Sequence, residues 1–595
     1  MPHPSARPLP APATSPPGAV DFTAGAGIPM RYLALATDFD GTLTSHGHMA
    51  TATVEALERV RASGRRLILV TGRRLEDLVK VQPRLDLFDG LVLENGAVLH
   101  WPASGRTELQ CRPVPARFTQ RLRRRGVRPL DVGRVLVATV HPHEALVLES
   151  IYELGLELQV VFNGDAVMVL PPNVNKGSGL ATALRALGLS RHEVVGIGDA
   201  ANDHSFFAMC DCAVATANAI PGLKEEAAFV TAGADGAGVV ELADALVADD
   251  LRRRLAGREE QELLLGTLAD GRPWWVPPRE VTLLVAGPSG AGKSTFAAGL
   301  IEQLVDHAYQ VCVIDPEGDY DTLPGLVSTG SRLRPPVIPE VVGLLDHAQS
   351  SVAVNLIGMA LADRPGFFQQ LLPRLTALRA QRGHPHWLVV DEAHHLLPTD
   401  GAAAAPLPPE LVLVTVDPVR LAPELLQRVD VVVACGPSPA EVLGAFVRGA
   451  GVPAPEEELP GAGVLGEAVA WHRGERHQLA PVVVVRARSE RLRHLRKYAE
   501  GDLGPRSFVF RGAEGLGEAT ARNLVTFIEL AGQVEDATWL HHLRRGDYSR
   551  WVRECMRDMP LAGEIARIEG EAGLPLEASR QQVIRAIDAR YTAAI

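Results

Sequence analysis

Cysteine is scarce in this chain. There are six in 595 residues and no paired CxxC motifs, so a disulfide framework is not indicated and reduced thiols are expected. Cys210 and Cys212 form only a CxC pair, a weak signal for a metal. Long apolar runs are also missing. No uninterrupted segment reaches the roughly 18–20 apolar residues of a spanning helix, so membrane insertion is not expected. Nor is there an excess of positive charge: the formal net charge is −12 and 22% of residues are charged, which gives no global argument for nucleic-acid binding and leaves local basic patches open. No short-period repeat organises the chain. What remains is a soluble, cytoplasmic protein too long for one core, with three or more domains expected.

From Tyr32 strand and helix patterns alternate. YLALATDF leads through DGTLTSHGHM into TATVEALERVRASG, whose apolar residues recur at helical spacing, and RLILVTGRR at 66–74 repeats the change of element. Between about 103 and 170 the rhythm breaks: basic RFTQRLRRRG and two strand candidates, VLVATV and LQVVFNGDAVMVL, fit an inserted α+β cap. It resumes with KGSGLATALRALG, EVVGIGDAANDHSFFAMC and CAVATANA. Residues 247–280 read as a hydrophilic helix and a proline-containing connection. VTLLVA then runs into a glycine-rich loop, followed by YQVCVID, WLVVDE, LVLVTV and VDVVVACG. PTDGAAAAPLPPE, 398–410, reads as a loop inside this second domain. The expected division is a disordered extension over 1–30 rather than a secretory signal, with Met30 a candidate start; a first α/β domain over 31–246; a linker over 247–274; a second α/β domain over 275–489; and a helical regulatory or interaction module over 490–595.

In ATDFDG, Asp38 and Asp40 stand two apart beyond an apolar strand, where α/β sheets bind ligands, and Phe39 between them can turn into the packing. One carboxylate can attack phosphorus while the other protonates the leaving group and then activates water. A structural turn also uses DG, so this stretch alone leaves both readings open. Gly41 relieves the turn, and Thr42 is placed to reach a phosphate oxygen. Thr71 and Gly72, at the next strand end, offer a hydroxyl and a backbone N–H. Lys176 opens a helix after PPNVN, where its ammonium can compensate phosphate or nucleophile charge. Asp199 and Asp203 bracket Asn202 in GDAAND, an oxygen-rich loop suited to Mg²⁺.

In this order DFDGTL, LVTGR, NKGSGL and GDAANDHSF resemble the four motifs of the haloacid dehalogenase-like phosphatases, and the intervening segment is similar to the cap of their sugar-phosphatase and phosphoglycolate-phosphatase branch. The resemblance, over roughly 31–245, implies a Rossmann-like core with an α+β cap. It implies Asp38 as the nucleophile that forms an aspartyl phosphate and Asp40 as general acid/base. Thr71 and Lys176 would bind the phosphoryl group, and Asp199 would hold Mg²⁺ with Asp38 and the Asp40 carbonyl. Asp203 would order Lys176 or support the metal, and Asn202 would shape the loop. A small phosphate monoester, a sugar phosphate or phosphoglycolate, is the implied substrate. Substrate orientation is assigned to Asn163, Asn173 and Asn175, whereas Arg121, Arg123, Arg124 and Arg125 fit either an acidic substrate or a solvated basic face.

VTLLVAGPSGAGKST carries GxxxxGKS/T in a strand-loop-helix context. Gly287, Gly290 and Gly292 free backbone N–H groups to close around phosphates. Lys293 can reach the β/γ-phosphates, Ser294 can bind Mg²⁺, and Thr295 completes the motif. In HWLVVDEAHH, Asp391 is expected in the Mg²⁺ shell and Glu392 to polarise water; VIDPEGDY, 313–320, can line the same crevice. These stretches resemble the P-loop ATPase domains of the HerA, FtsK and VirB4-like family over roughly 275–445, which implies ATP as ligand, homo-oligomeric rings and nucleic acid or protein as the moved partner. One departure stands out: Thr415 is followed by Val416 and Asp417 where these ATPases often carry a glutamine sensor, so coupling to movement stays open. Arg428 fits either a neighbouring active site or a surface ion pair. In the C-terminal module His541, His542, Arg544 and Arg545 suggest a structural or regulatory surface, with RNA or partner binding open. The combined expectation is a Mg²⁺-dependent phosphate-monoester hydrolase coupled to or regulated by an ATP-binding domain. The alternative is an ATP-driven remodelling assembly with an accessory phosphatase.

Overall fold

The computed structural model describes residues 30–592 apart from 46, 83, 257–261, 269, 398–406, 456–466, 474–477, 486, 489–497, 499–502, 513–517, 557 and 572. The expected extension, except Met30, and most of the 398–410 loop lie outside the described residues.

In the first unit the strands are Ala34–Thr37 (β1), Arg66–Val70 (β2), Gly90–Leu93 (β3), Val98–Trp101 (β4), Arg106–Leu109 (β5), Asp131–Val132 (β6), Val137–Val140 (β7), Gln159–Asn163 (β8), Ala166–Leu170 (β9), Val194–Gly198 (β10), Cys212–Ala215 (β11) and Phe229–Val230 (β12). Eight form a sheet in the order β12-β11-β10-β1-β2-β3-β4-β5, parallel from β12 to β3. Alternation along these strands feeds two cores. Leu35, Leu67 and Leu69 pack on one face, and Ala34, Ala36, Ile68 and Val70 on the other. The chain winds from β1 toward β3 and returns on the far side at β10, so the switch point lies between β1 and β10.

The remaining strands form a four-stranded sheet, β6-β7-β9-β8, backed by the helices Ala116–Arg124 and Glu144–Glu153. The cap expected to begin near residue 103 starts later, because β5 pairs with β4 in the main sheet. LQVVFNGDAVMVL divides into β8 and β9, since Gly164, at φ +54, reverses the chain.

The second unit contains Leu263–Leu268 (β13), Pro273–Val276 (β14), Thr282–Ala286 (β15), Val311–Asp315 (β16), Leu326–Thr329 (β17), Ser351–Asn355 (β18), Trp387–Val390 (β19), Leu411–Thr415 (β20), Val431–Cys435 (β21), Glu467–His472 (β22) and Gln478–Val484 (β23). They form one sheet in the order β14-β13-β23-β22-β21-β15-β20-β19-β16-β18-β17. The part from β21 to β17 is parallel, and the four strands beyond β21 pair antiparallel. The stretch expected as a linker is therefore partly sheet: β13 and β14 make an antiparallel edge, burying Leu263, Leu265, Trp274 and Val276.

The C-terminal region is mainly helical, with helices at Leu524–Ala531, Asp536–Arg545, Met559–Gly570 and Leu576–Ile587, and adds a hairpin of Phe508–Arg511 (β24) and Glu518–Ala521 (β25). Phe508, Phe510, Phe527, Trp539 and Tyr548 are buried at its centre. His542 is buried with them, its Nε2 accepting from the Arg511 N–H at 3.0 Å and its Nδ1 2.9 Å from Asp547, which makes it a packing residue. Among the described residues no helix is long and apolar enough to cross a membrane.

Candidate active site

Asp38 follows β1 at the switch point, its backbone N–H donating to the Ile197 carbonyl of β10 at 3.0 Å. Phe39 turns into the core and Asp40 outward. Lys176, first residue of the helix Lys176–Leu187, reaches back under Asp38; its Nζ donates to Asp38 Oδ1 and to Asp203 Oδ1, each at 2.5 Å. All three side chains are buried. The other oxygen of Asp203 accepts the backbone N–H groups of Asp199 and Ala200 at 2.9 Å, so both of its oxygens are engaged. Asp199 lies half-buried above this layer, accepting from the Thr42 hydroxyl at 2.7 Å.

Crowding of carboxylates sets the electrostatics. Burial pushes the Asp38 carboxyl well above its ordinary range, Lys176 opposes this, and neighbouring Asp203 and Asp199 add to it. Burial likewise pushes Asp199 up to about 6 against the pull of the Thr42 hydrogen bond. Ligand oxygens of Asp38, Asp199 and Asp203 lie within 4.8 Å of one another. A cluster of three carboxylates, with Asp38 and Asp199 pushed up by burial, suits a hard divalent cation such as Mg²⁺. Gly41 allows this crowding: at φ +79, a Cβ there would lie 2.4 Å from Asp199 Oδ2.

Thr71 is buried at the end of β2, its hydroxyl oxygen accepting the Arg73 N–H at 3.2 Å, and Gly72 sits beside Met168 of the smaller sheet. Two positions singled out for substrate serve the backbone instead. The Asn175 side chain caps the helix of Lys176, accepting the Ser178 N–H at 2.8 Å, and Asn173 is an exposed turn residue at φ +65. Asn163 is half-buried at the end of β8. Asn202 donates to Asn95 Oδ1 at 3.1 Å. Of the arginine run, Arg121 and Arg125 pair with Glu153, and Arg125 also with Glu149, on the neighbouring helix; Arg123 and Arg124 are exposed. That arrangement matches the solvated-face reading.

Sequence reasoning missed two residues here. Arg73 grips Asp40 with both arms, Nε to Oδ2 at 2.7 Å and Nη2 to Oδ1 at 2.6 Å. Glu94, buried at the end of β3, accepts the backbone N–H groups of Arg134, Val135 and Leu136 at 2.8, 2.8 and 3.0 Å, holding the β6–β7 loop of the smaller sheet to the main one. The signal for both was position, since each comes just after a strand of the main sheet, Arg73 directly after Gly72 and Glu94 directly after β3.

In the second unit Gly287 follows β15 at φ +151, where a Cβ would lie 2.1 Å from the Cys435 carbonyl oxygen. Gly290 and Gly292 also have positive φ, at +80 and +96. The helix Lys293–Asp306 starts directly after them, so its N-terminal N–H groups and dipole face the loop, with Ser294 and Thr295 half-buried in the first turn. Lys293 is buried and donates to the Pro288 carbonyl of its own loop at 3.2 Å. Asp391, fully buried after β19, accepts the Glu392 N–H at 2.9 Å. Asp315, Asp319 and Asp391 form a second cluster with ligand oxygens within 4.8 Å, and burial pushes Asp315 up to about 7. β20 stands between the P-loop strand and the acidic strand, and Thr415 at its end lies 3.2 Å from His394 Nδ1. Arg428 donates to the Leu407 carbonyl at 2.9 Å.

Comparison with known proteins follows the same division. The family described as haloacid dehalogenase-like hydrolase matches residues 35–121 and 148–242, and the family described as Helicase HerA, central domain, matches 282–361. The first unit is 30% identical over 211 residues to a phosphoglycolate phosphatase of Methanothermobacter thermautotrophicus, covering 35% of this chain and 96% of that one. It is 33% identical over 209 residues to a phosphoglycolate phosphatase of Halorubrum lacusprofundi, covering 33% of this chain and 90% of that one. A crystal structure of a haloacid dehalogenase-like hydrolase from Bacteroides thetaiotaomicron aligns with 36% of this chain and 100% of its own, at 20% identity and a TM-score of 0.33.

Proposed function

The chain belongs to the haloacid dehalogenase-like hydrolases through its first unit and carries a HerA-type unit after it, and from that premise we propose that the first unit hydrolyses a small phosphate monoester through an aspartyl phosphate on Asp38. The observation that carries this reading is the buried Asp38–Lys176–Asp203 layer beneath Asp199 at the switch point. Phosphoglycolate, named in the relatives, is the first candidate, with sugar phosphates next.

An Asp38 carboxylate oxygen attacks phosphorus, the bond to the leaving oxygen breaks, and Asp40 gives that oxygen a proton. Asp40 then takes a proton from water as the water attacks the phosphorylated Asp38; the bond from Asp38 to phosphorus breaks, releasing inorganic phosphate and restoring the carboxylate. Lys176 holds Asp38 in place and offsets its charge. Asp203, with both oxygens engaged, orients Lys176 and the Asp199 loop. Thr71, Thr42 and the Gly72 N–H are assigned to the phosphoryl oxygens, while Asn202 shapes the loop through Asn95. Mg²⁺, held by Asp38, Asp199 and the Asp40 carbonyl, would neutralise charge gathering on the phosphoryl group.

For the second unit the reading is ATP binding with hydrolysis. The helix N-terminus behind Gly287, Gly290 and Gly292, with Lys293 and Thr295, is assigned to the phosphates. Ser294 and Asp391 would hold Mg²⁺, which would supply positive charge to neutralise the phosphates, and Glu392 would orient water.

The deciding experiment is phosphate release from a panel of monoesters, including phosphoglycolate, and separately from ATP. Asp38→Asn is expected to abolish monoester turnover and leave ATP turnover intact, with Lys293→Ala doing the reverse. Monoester turnover surviving in Asp38→Asn would overturn the nucleophile assignment. The HerA match also supports an ATP-driven remodelling assembly. A closed oligomer whose ATPase rises with DNA or RNA length would establish that reading, and a monomer without such stimulation would count against it.

A further inference from the structure

The two sheets meet by the ends that bear no candidate chemistry. In the first unit Arg31 and Tyr32 precede β1, His192 and Glu193 precede β10, and Asp211 precedes β11, whereas Asp38 and Asp199 follow β1 and β10. In the second unit Arg279 stands before β15, Tyr309 and Gln310 before β16, and His384 and His386 before β19; Gly287 and Asp391 follow β15 and β19, and Asp315 ends β16.

The leading groups of one unit are bonded to those of the other. His192 is buried between them, with Nδ1 2.9 Å from Asp211 Oδ1 and Nε2 2.7 Å from the His307 carbonyl oxygen. Both ring nitrogens face oxygen atoms, one on each unit. The His192 ring stacks on Tyr309 at 3.9 Å between centroids and 7° between planes, with the edge of His386 5.5 Å away. Arg279 Nη2 donates to the His192 carbonyl and to Asp211 Oδ1, each at 3.2 Å. Burial alone would raise the Asp211 carboxyl, yet His192, Arg279 and Arg31 hold it well below the ordinary range.

A second contact joins the helices. His384 spans the boundary, Nδ1 2.8 Å from Gln310 Oε1 and Nε2 3.3 Å from the carbonyl oxygen of Gly188, the C-cap of the helix that Lys176 opens. Gly383, at φ +78, packs so closely that a Cβ there would lie 2.7 Å from Glu193 Cγ.

We propose that this joint makes the two units one cooperative body and is the route by which nucleotide at the P-loop alters monoester hydrolysis at Asp38. The inference rests on the two-site reading given above for its functional half. Each catalytic element of the first unit, β1, β10 and the 12-residue helix from Lys176, runs from the joint to the site. β15, β16 and β19 do the same in the second unit. Strands of four or five residues span about 13–17 Å, so each site lies a strand's length from the joint, and coupling passes through packed elements rather than by handing over a product.

Native-state hydrogen exchange of the full chain against urea tests the structural half without any turnover. Peptides over β10 and β16 are expected to open in one transition in the wild type and in two in His192→Ala/Arg279→Ala. Two transitions in the wild type would overturn the proposal even if the double variant proved unstable. For the functional half, ADP with Mg²⁺ is expected to change monoester kcat/KM about fivefold or more in the wild type and not in the double variant. No change in the wild type, or the same change in both proteins, would overturn the route. Failure of the phosphatase reading would show differently, as Asp38→Asn turnover equal to wild type with the exchange result intact.

Discussion

Both units place a lysine and an acidic cluster at the C-terminal ends of parallel strands, yet the contacts that position the lysines differ. Lys176 is anchored by Asp38 and Asp203 at 2.5 Å each, so the first site is organised around its own carboxylates. Lys293 holds the loop in front of it, donating to the Pro288 carbonyl at 3.2 Å. An ion pair fixes a carboxylate in one position, whereas a lysine bonded to its own loop backbone shapes that loop around its ammonium.

Removing each lysine breaks that comparison most directly. Lys176→Ala leaves buried carboxylates without their cation, and urea denaturation in EDTA should show a loss of about 3–5 kcal/mol. Lys293→Ala should abolish nucleotide binding, followed by titration calorimetry with Mg²⁺ and ATP, and its loss in the same denaturation is the figure to set against that of Lys176→Ala. Equal losses would mean that the two sites are built alike. Next in size is Asp40→Asn, expected to lower monoester kcat by about 10²–10⁴-fold with ATP turnover unchanged, as steady-state phosphate release would show.

A smaller effect is expected at Glu94, which holds the smaller sheet through three N–H groups. Glu94→Gln should cost about 1–3 kcal/mol and speed hydrogen exchange in 131–140 without changing exchange in the second unit. The smallest effect is a pH dependence. Asp199 at about 6 and Asp315 at about 7 lie above their model-peptide value of 3.8, so between roughly pH 4 and 7 the metal-free folded protein binds more protons than the unfolded chain. Stability from these groups is therefore lost as pH rises through that window. The Tm in EDTA should fall accordingly, less steeply in Asp199→Asn, and Mg²⁺ should reverse the trend. A flat Tm in wild type would contradict the proposed crowding.

Much of the first site was legible because its residues follow strands or open a helix, and each such position announces itself through an apolar run and a turn. Asp38, Thr71, Lys176, Asp199 and Asp203 were found that way. Arg73 was not, because its meaning lies in an Asp40 33 residues earlier. The capping role of Asn175 was not read from the sequence, although an asparagine before KGS carries the helix-capping signature. β13 and β14 were read as linker because the strand that joins this pair to the sheet, β23, pairs with β13 from some two hundred residues later.

Local chemistry in the sequence by itself determined two α/β units, each ending strands in candidate phosphate-binding residues, and a mainly helical tail. Periodicity and turn chemistry act over a few residues, so these features needed no knowledge of the fold. Tertiary structure alone decided which charges neutralise one another, where the smaller sheet is held, and that the two units meet through His192 by the strand ends that do not carry their candidate sites. Such contacts join residues as distant as His192 and His307, or Gly188 and His384, and depend on burial and direction, which only the assembled sheets supply.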